Sequence, residues 1–150
     1  MVRYAGGWLF DQVMAGWDVT VLTRDQADAR PLRILGARSA DLEGVLARRV
    51  RGSCLQAIAV RADLYESDPL VRRMVRQARD GGMTDVRLWG EAWPASLDRT
   101  ACPVQHHRLS VAARAFKAQA LAAAAIPAGP GQDIEVFRRA DIRHPSLIPA

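Results

Sequence analysis

Asparagine is absent from this 150-residue chain, and lysine occurs once, at Lys117, among 21 basic residues. A GC-rich coding sequence produces this bias, so the arginine excess reflects base composition before it reflects a ligand. The formal net charge of +5 and sequence pI of about 10.2 would ordinarily point to nucleic acid or acidic surfaces. Here they are discounted evidence. Cysteine is also scarce. Cys54 and Cys102 are too few and too far apart for a disulfide framework or a CxxC metal knuckle, and read as reduced, buried small hydrophobes. The longest uncharged run, Ala118 to Gln132, is broken by Pro127, Gly129, Pro130 and Gly131, which excludes a membrane span of about 20 residues. Met1 to Trp8 lacks the apolar core of a signal peptide, and Asp11 interrupts the apolar residues beyond it, so a cytoplasmic location is expected.

Several chemical signatures are missing too. There is no G-x-x-x-x-G-K-[ST] loop, which argues against phosphate transfer by a P-loop enzyme. His106 and His107, with His144 farther on, form the only histidine cluster. Adjacent residues diverge on regular structure, and without HxxxH spacing or a nearby cysteine pair no metal site is expected. His107 remains a candidate general base, since imidazole titrates near neutrality. Ser67, Asp68 and His107 could be assembled on paper into a triad, but no G-x-S-x-G elbow frames a serine. No cofactor is expected.

The composition itself, 49% hydrophobic and 25% charged, is that of an ordinary globular protein. The order of patterns predicts an α/β fold: one domain over 1–143, with helices on both faces of a four- or five-stranded sheet, parallel or mixed, and a tail over 144–150. Gly7 to Ala15 reads as a helix with Phe10, Val13, Met14 and Trp17 on one face, stopped by Gly16. Trp17 to Thr23 reads as a strand covered on both sides. Arg24 to Pro31 reads as a loop and Leu32 to Ala37 as a second strand, in a hairpin with the first or apart from it. Ser39 is expected to cap a helix through Leu42, Val45 and Leu46. Ala57 to Val60 reads as a strand, with Ala59 to Leu64 alternatively helical. Asp68 and Pro69 open a helix that Gly81 and Gly82 close. Thr84 to Gly90 is a strand, Glu91 to His107 an irregular loop, Ser110 to Ala125 a capped helix, and Asp133 to Arg138 an edge strand.

Gly16 to Asp25 resembles the second helix-strand unit of nucleotide-binding Rossmann domains and of glycosyltransferases with paired Rossmann domains, where a GxxVTVL-type strand ends near a ribose-binding acid. The resemblance covers a short part of the chain and implies that role for Asp25. No G-x-G-x-x-G follows a strand, so the dinucleotide fingerprint is incomplete. A degenerate, RecA-like shape without ATP chemistry is the other version of the fold.

Two surfaces draw attention. Arg72, Arg73, Arg76 and Arg79 share the polar side of the helix after Pro69, where guanidinium groups could meet phosphates or carboxylates; a solvated face would look the same. Trp89 and Trp93 flank Gly90 and Glu91 where a strand ends, the edge at which open α/β sheets bind ligands, and tryptophan often anchors interfaces. The leading expectation is a non-catalytic interaction module, a regulatory or assembly partner in a cytoplasmic complex. Its partner would be a protein, with nucleic acid the alternative through the arginine helix. The second expectation is a small enzyme or binding protein for a nucleotide or sugar nucleotide, using Thr23, Asp25, Glu91 and His107.

Overall fold

A computed structural model of the chain describes residues 1–24, 29–47, 57–82, 85–91, 93, 103–129 and 133–139. Along it run α1 (Val2–Met14), β1 (Thr20–Thr23), α2 (Ala29–Ile34), β2 (Arg38–Asp41), α3 (Leu42–Ala47), β3 (Ala57–Arg61), α4 (Ala62–Ser67), α5 (Pro69–Asp80), β4 (Asp85–Trp89), β5 (Val104–Arg108), α6 (Val111–Ala123) and β6 (Ile134–Arg139). The fold is mixed α/β, with a two-stranded sheet β1-β2 and a four-stranded sheet in the order β3-β4-β6-β5. The chain forms two compact units, residues 1–54 with 106–136 and residues 55–105 with 137–150. The expected tail, 144–150, lies outside the described residues.

In the second unit the local signals act as read. Asp68 caps α5, its carboxylate accepting from the N–H groups of Leu70 and Val71 at 2.8 and 3.3 Å, an arrangement that contributes about 1 kcal/mol. Pro69 takes the first helical position, and Val71 and Val75 are buried. β4 alternates with Val86 and Leu88 buried and Asp85 and Arg87 half-exposed, and it runs parallel to β3. Beyond β3 the chain turns helical at Ala62, so the strand reading holds for Ala57 to Val60, and of the helical alternative only the part from Ala62 is helix. β6 pairs antiparallel with β4 and lies inside the sheet. The edge position expected for it belongs to β5, within the stretch expected to be irregular.

In the first unit the structure corrects several expectations. Leu32 and Leu35 are fully buried, but Leu32 belongs to helix α2 and the strand begins only at Arg38. Short apolar runs fit a buried helix turn as well as a strand. With α2 as the crossover, β1 and β2 pair in parallel, Thr20 beside Arg38 and Thr23 beside Asp41, rather than as a hairpin. β1 is only half-buried, not enclosed on both faces. Ser39 lies within β2; Asp41 starts α3 instead, its carboxylate accepting from Gly44 N at 2.6 Å.

α1 differs most. It starts at Val2, and its buried residues are Val2, Ala5, Gly6, Gly7, Trp8, Leu9 and Phe10. Met14 and Trp17 of the expected apolar face are 69% and 42% exposed. The core side is set by partners near its middle. Gly7 and Trp8 donate their N–H groups to the Glu135 carboxylate at 2.8 and 2.7 Å, and Lys117 Nζ of α6 donates to the same carboxylate at 2.7 Å. Lys117 and Glu135 are each only 2% exposed, and a buried pair of this kind holds only when its remaining polar atoms are also satisfied.

The close approach requires glycine. A Cβ on Gly7 would lie 2.2 Å from Leu109 Cδ2 and 2.3 Å from its Cγ. Gly7→Ala is therefore expected to destabilise by about 3 kcal/mol, at the upper end of overpacking costs. Gly82→Ala, where φ is +99° and nothing lies within 4 Å, should cost about 1–2 kcal/mol from backbone strain alone. Urea denaturation of the two variants tests the ordering, and equal losses would contradict the close contact.

Candidate functional site

One turn along α1 from the amides that hold Glu135, Asp11 presents its carboxylate to β5. His107 Nε2 lies 2.8 Å from Asp11 Oδ2, and the N–H of Ser110 donates to the same oxygen at 3.2 Å. Ser110 caps α6 through its side chain, which accepts from Ala113 N at 3.0 Å. Three elements therefore converge: the last turn of α1, the end of β5 and the start of α6. The Leu109 N–H donates to Asp133 O, and the Arg139 N–H to Pro103 O. These two bonds run β5 antiparallel to β6 and set His107 opposite Glu135 on the inward face. His106 points outward and is exposed.

The Asp11 and His107 side chains are 18% and 24% exposed, so solvent reaches a pair whose geometry protein contacts fix. Burial works to raise the Asp11 pKa, but hydrogen bonds from Ser110 and His107, with the imidazole's charge, outweigh it and hold the carboxyl below its ordinary value. Asp11 is thus an anion at neutral pH. In the neutral tautomer that donates Nε2–H to Asp11, the Nδ1 lone pair of His107 has no hydrogen-bond partner among the described residues. An imidazole oriented by a carboxylate and open at its other nitrogen can take up a proton and hold the resulting charge.

The other expected site residues are dispersed. Thr23 ends β1 and is half-buried, while Asp25 lies outside the described residues. Glu91 is exposed beyond β4, in the second unit. Trp89 is buried in the core at 8% exposure. Trp93 is half-buried, with the Arg138 guanidinium 4.9 Å from its ring centroid. Arg72 turns back on its own unit, donating to the carbonyls of Tyr65 and Glu66 at the end of α4. Arg73 and Arg76 are exposed and Arg79 half-buried. Cys54, Cys102 and His144 lie outside the described residues. Among the described residues no three His, Cys, Asp or Glu side chains are grouped to hold a metal, and no helix is long and apolar enough to cross a membrane.

Among solved structures, the chain is similar to one described as the crystal structure of antimicrobial reagent A40926 pseudoaglycone deacetylase Dbv21. The TM-score is 0.60 at 15% identity, over 92% of this chain and 91% of that one. At that identity the likeness shows a shared α/β fold. No family model and no curated protein matches the chain.

Sequence reasoning reached His107 but missed Asp11, which it read only as a charge interrupting an apolar stretch. Their separation of 96 positions in the chain carries no spacing signal. Because the folded pKa of Asp11 is lowered, the stability it contributes is complete above the ordinary value of 3.8 and is lost as pH falls through the folded value below it. The stability gap between the wild type and Asp11→Asn should therefore shrink as pH falls below the ordinary carboxyl value of 3.8. Denaturant titrations across that range measure it, and a gap independent of pH would remove the charged hydrogen bonds from the account.

Proposed function

We propose that the chain is a small hydrolase that removes an acyl group from an amino group, with His107 as general base and Asp11 holding it. The reading rests on one observation: the 2.8 Å contact between His107 Nε2 and a partly exposed carboxylate that stays ionised. The fold it shares with a protein described as a deacetylase supports removal of an acyl group over the nucleotide alternative, as analogy. In the reaction, His107 Nδ1 takes a proton from water while the water oxygen adds to the acyl carbonyl carbon. The C–N bond then breaks, and the imidazolium returns the proton to the departing amine, leaving a carboxylic acid and a free amine. Asp11 stabilises the imidazolium between the two transfers and fixes the ring's orientation. Acetate release from N-acetylated primary amines tests this. His107→Gln should lower turnover by about 10²-fold or more, and Asp11→Asn should lower it while the fold persists. Release that persists unchanged in His107→Gln would end the assignment.

A second reading, a non-catalytic interaction module, is favoured by α5. Leu70, 45% exposed, lines up with Arg73 and Gln77 at offsets 0, 3 and 7, and Arg76 is exposed beside them. An apolar anchor flanked by guanidinium groups suits an acidic protein partner or nucleic acid. Affinity purification with and without nuclease should then yield a stoichiometric partner that is lost on Arg73→Ala and Arg76→Ala. Recovery of the chain alone would leave the enzyme reading standing.

A further inference from the structure

Ser110 opens α6 as its place in the sequence implies, and the structure gives it a second set of contacts. Its hydroxyl oxygen accepts from Ala113 N at 3.0 Å, the ordinary bond of an N-cap. That bond uses a lone pair and leaves the hydroxyl proton to be donated elsewhere. The Asp11 carboxylate takes it. Ser110 hydrogen-bonds Asp11 through its side chain as well as through its backbone N–H, which lies 3.2 Å from Oδ2. With His107 Nε2 at 2.8 Å from the same oxygen, three donor groups converge on one carboxylate, two of them from a single serine.

The charges around the pair leave Asp11 to serve His107. Glu135, across the strands from His107, is occupied by Lys117 and the Gly7 and Trp8 amides. Asp133 is paired with Arg114 at 3.4 Å, and His106 and Arg108 are exposed on the other face of β5. Glu135 holds the α1 backbone, but a fixed backbone still allows a side chain one turn later several staggered rotamers. Ser110 supplies the missing constraint.

We propose that Ser110 is a positioning residue: it holds the Asp11 carboxylate in the orientation that receives His107 Nε2–H, and so acts on the imidazole through Asp11. The proposal deepens the hydrolase reading and rests on it where turnover is concerned. An anion that accepts several donors stays ionised, and an ionised acceptor held in place keeps Nε2–H on the ring. The proton that His107 takes up then goes to Nδ1. The start of α6 adds to this, because a helix N-terminus favours a neighbouring negative charge.

Threonine and glycine are similar as N-caps, and both keep the backbone N–H, but only threonine keeps the hydroxyl. Ser110→Thr and Ser110→Gly therefore separate positioning from capping. Ser110 is exposed, so neither change opens the core. The His107 Nε2–H signal is followed by proton NMR at neutral pH and assigned by its loss in His107→Gln. Its exchange with water is expected to be about tenfold faster in Ser110→Gly than in the wild type, and unchanged in Ser110→Thr. The Asp11 carboxyl titration should move up toward its ordinary value of 3.8 in Ser110→Gly alone. Equal behaviour of the two variants in either measurement overturns the proposal and leaves Ser110 a helix cap. Turnover of an N-acetylated primary amine separates the two levels. There kcat is expected to fall about tenfold in Ser110→Gly with KM unchanged. Turnover that survives Ser110→Gly undiminished keeps the hydrolase and overturns the role of Ser110. An Nε2–H that Ser110→Gly alone releases, with no turnover in the wild type, supports the positioning role and overturns the hydrolase.

Discussion

A single buried carboxylate organises the first unit. Glu135 accepts two consecutive α1 amides and the ammonium of Lys117, tying α1, α6 and β6 together at one point. N–H groups inside a helix ordinarily serve the carbonyl four residues back, so a side chain that meets two of them fixes both the rotation and the height of the helix. Lys117 makes this tolerable, because an isolated carboxylate at that depth would protonate or drive the structure open. Removing one partner of such a pair typically costs about 3–5 kcal/mol, although a well-packed apolar replacement of both can be neutral. What the ion pair supplies is a fixed position for α1.

That position carries into chemistry through the geometry of a helix. Asp11 lies one turn along from Gly7 and on the same side as Gly7 and Trp8, so the clamp that aims those amides at β6 also aims Asp11 at the neighbouring β5. His107 and Glu135 sit across from each other on the inward sheet face, and α1 lies over both. The two polar contacts share one rigid lever. Gly7 allows the lever its closeness, since any side chain there would displace Leu109 and with it the residues just before α6.

Where structure is set by neighbours in sequence, the chain was readable. Asp68 with Pro69, Ser110 before α6 and the alternation of β4 all state their conformation within a few residues. Where it is set by distant partners, the same reading failed. The pattern Phe10, Val13, Met14 and Trp17 has helical spacing, but α1 turns its core side to suit Glu135, 128 residues from Gly7, and leaves Met14 in water. The run from Leu32 to Ala37 is apolar enough for a strand, yet supplies the end of a buried helix. The candidate site shows the same division: His107 stood out as one of few histidines, whereas Asp11 gains meaning only when β5 is folded beside α1.

The basic character of the chain divides in the same way. Arg38, Arg61, Arg87 and Arg114 pair with Asp18, Asp63, Asp85 and Asp133 close by, and Arg72 closes the end of α4. Exposed pairs of this kind add little stability, about 0–1 kcal/mol each, but they cancel much of the long-range field that steers a polyanion. A net charge of +5 distributed this way is a weak argument for nucleic acid. Lys117, the one lysine in a chain where every other basic residue is arginine, is withdrawn from that surface altogether. A compact ammonium can enter a pocket between α1 and α6 that the wider, planar guanidinium fits less readily, which is a physical reason for lysine at the one position where the charge is fully enclosed.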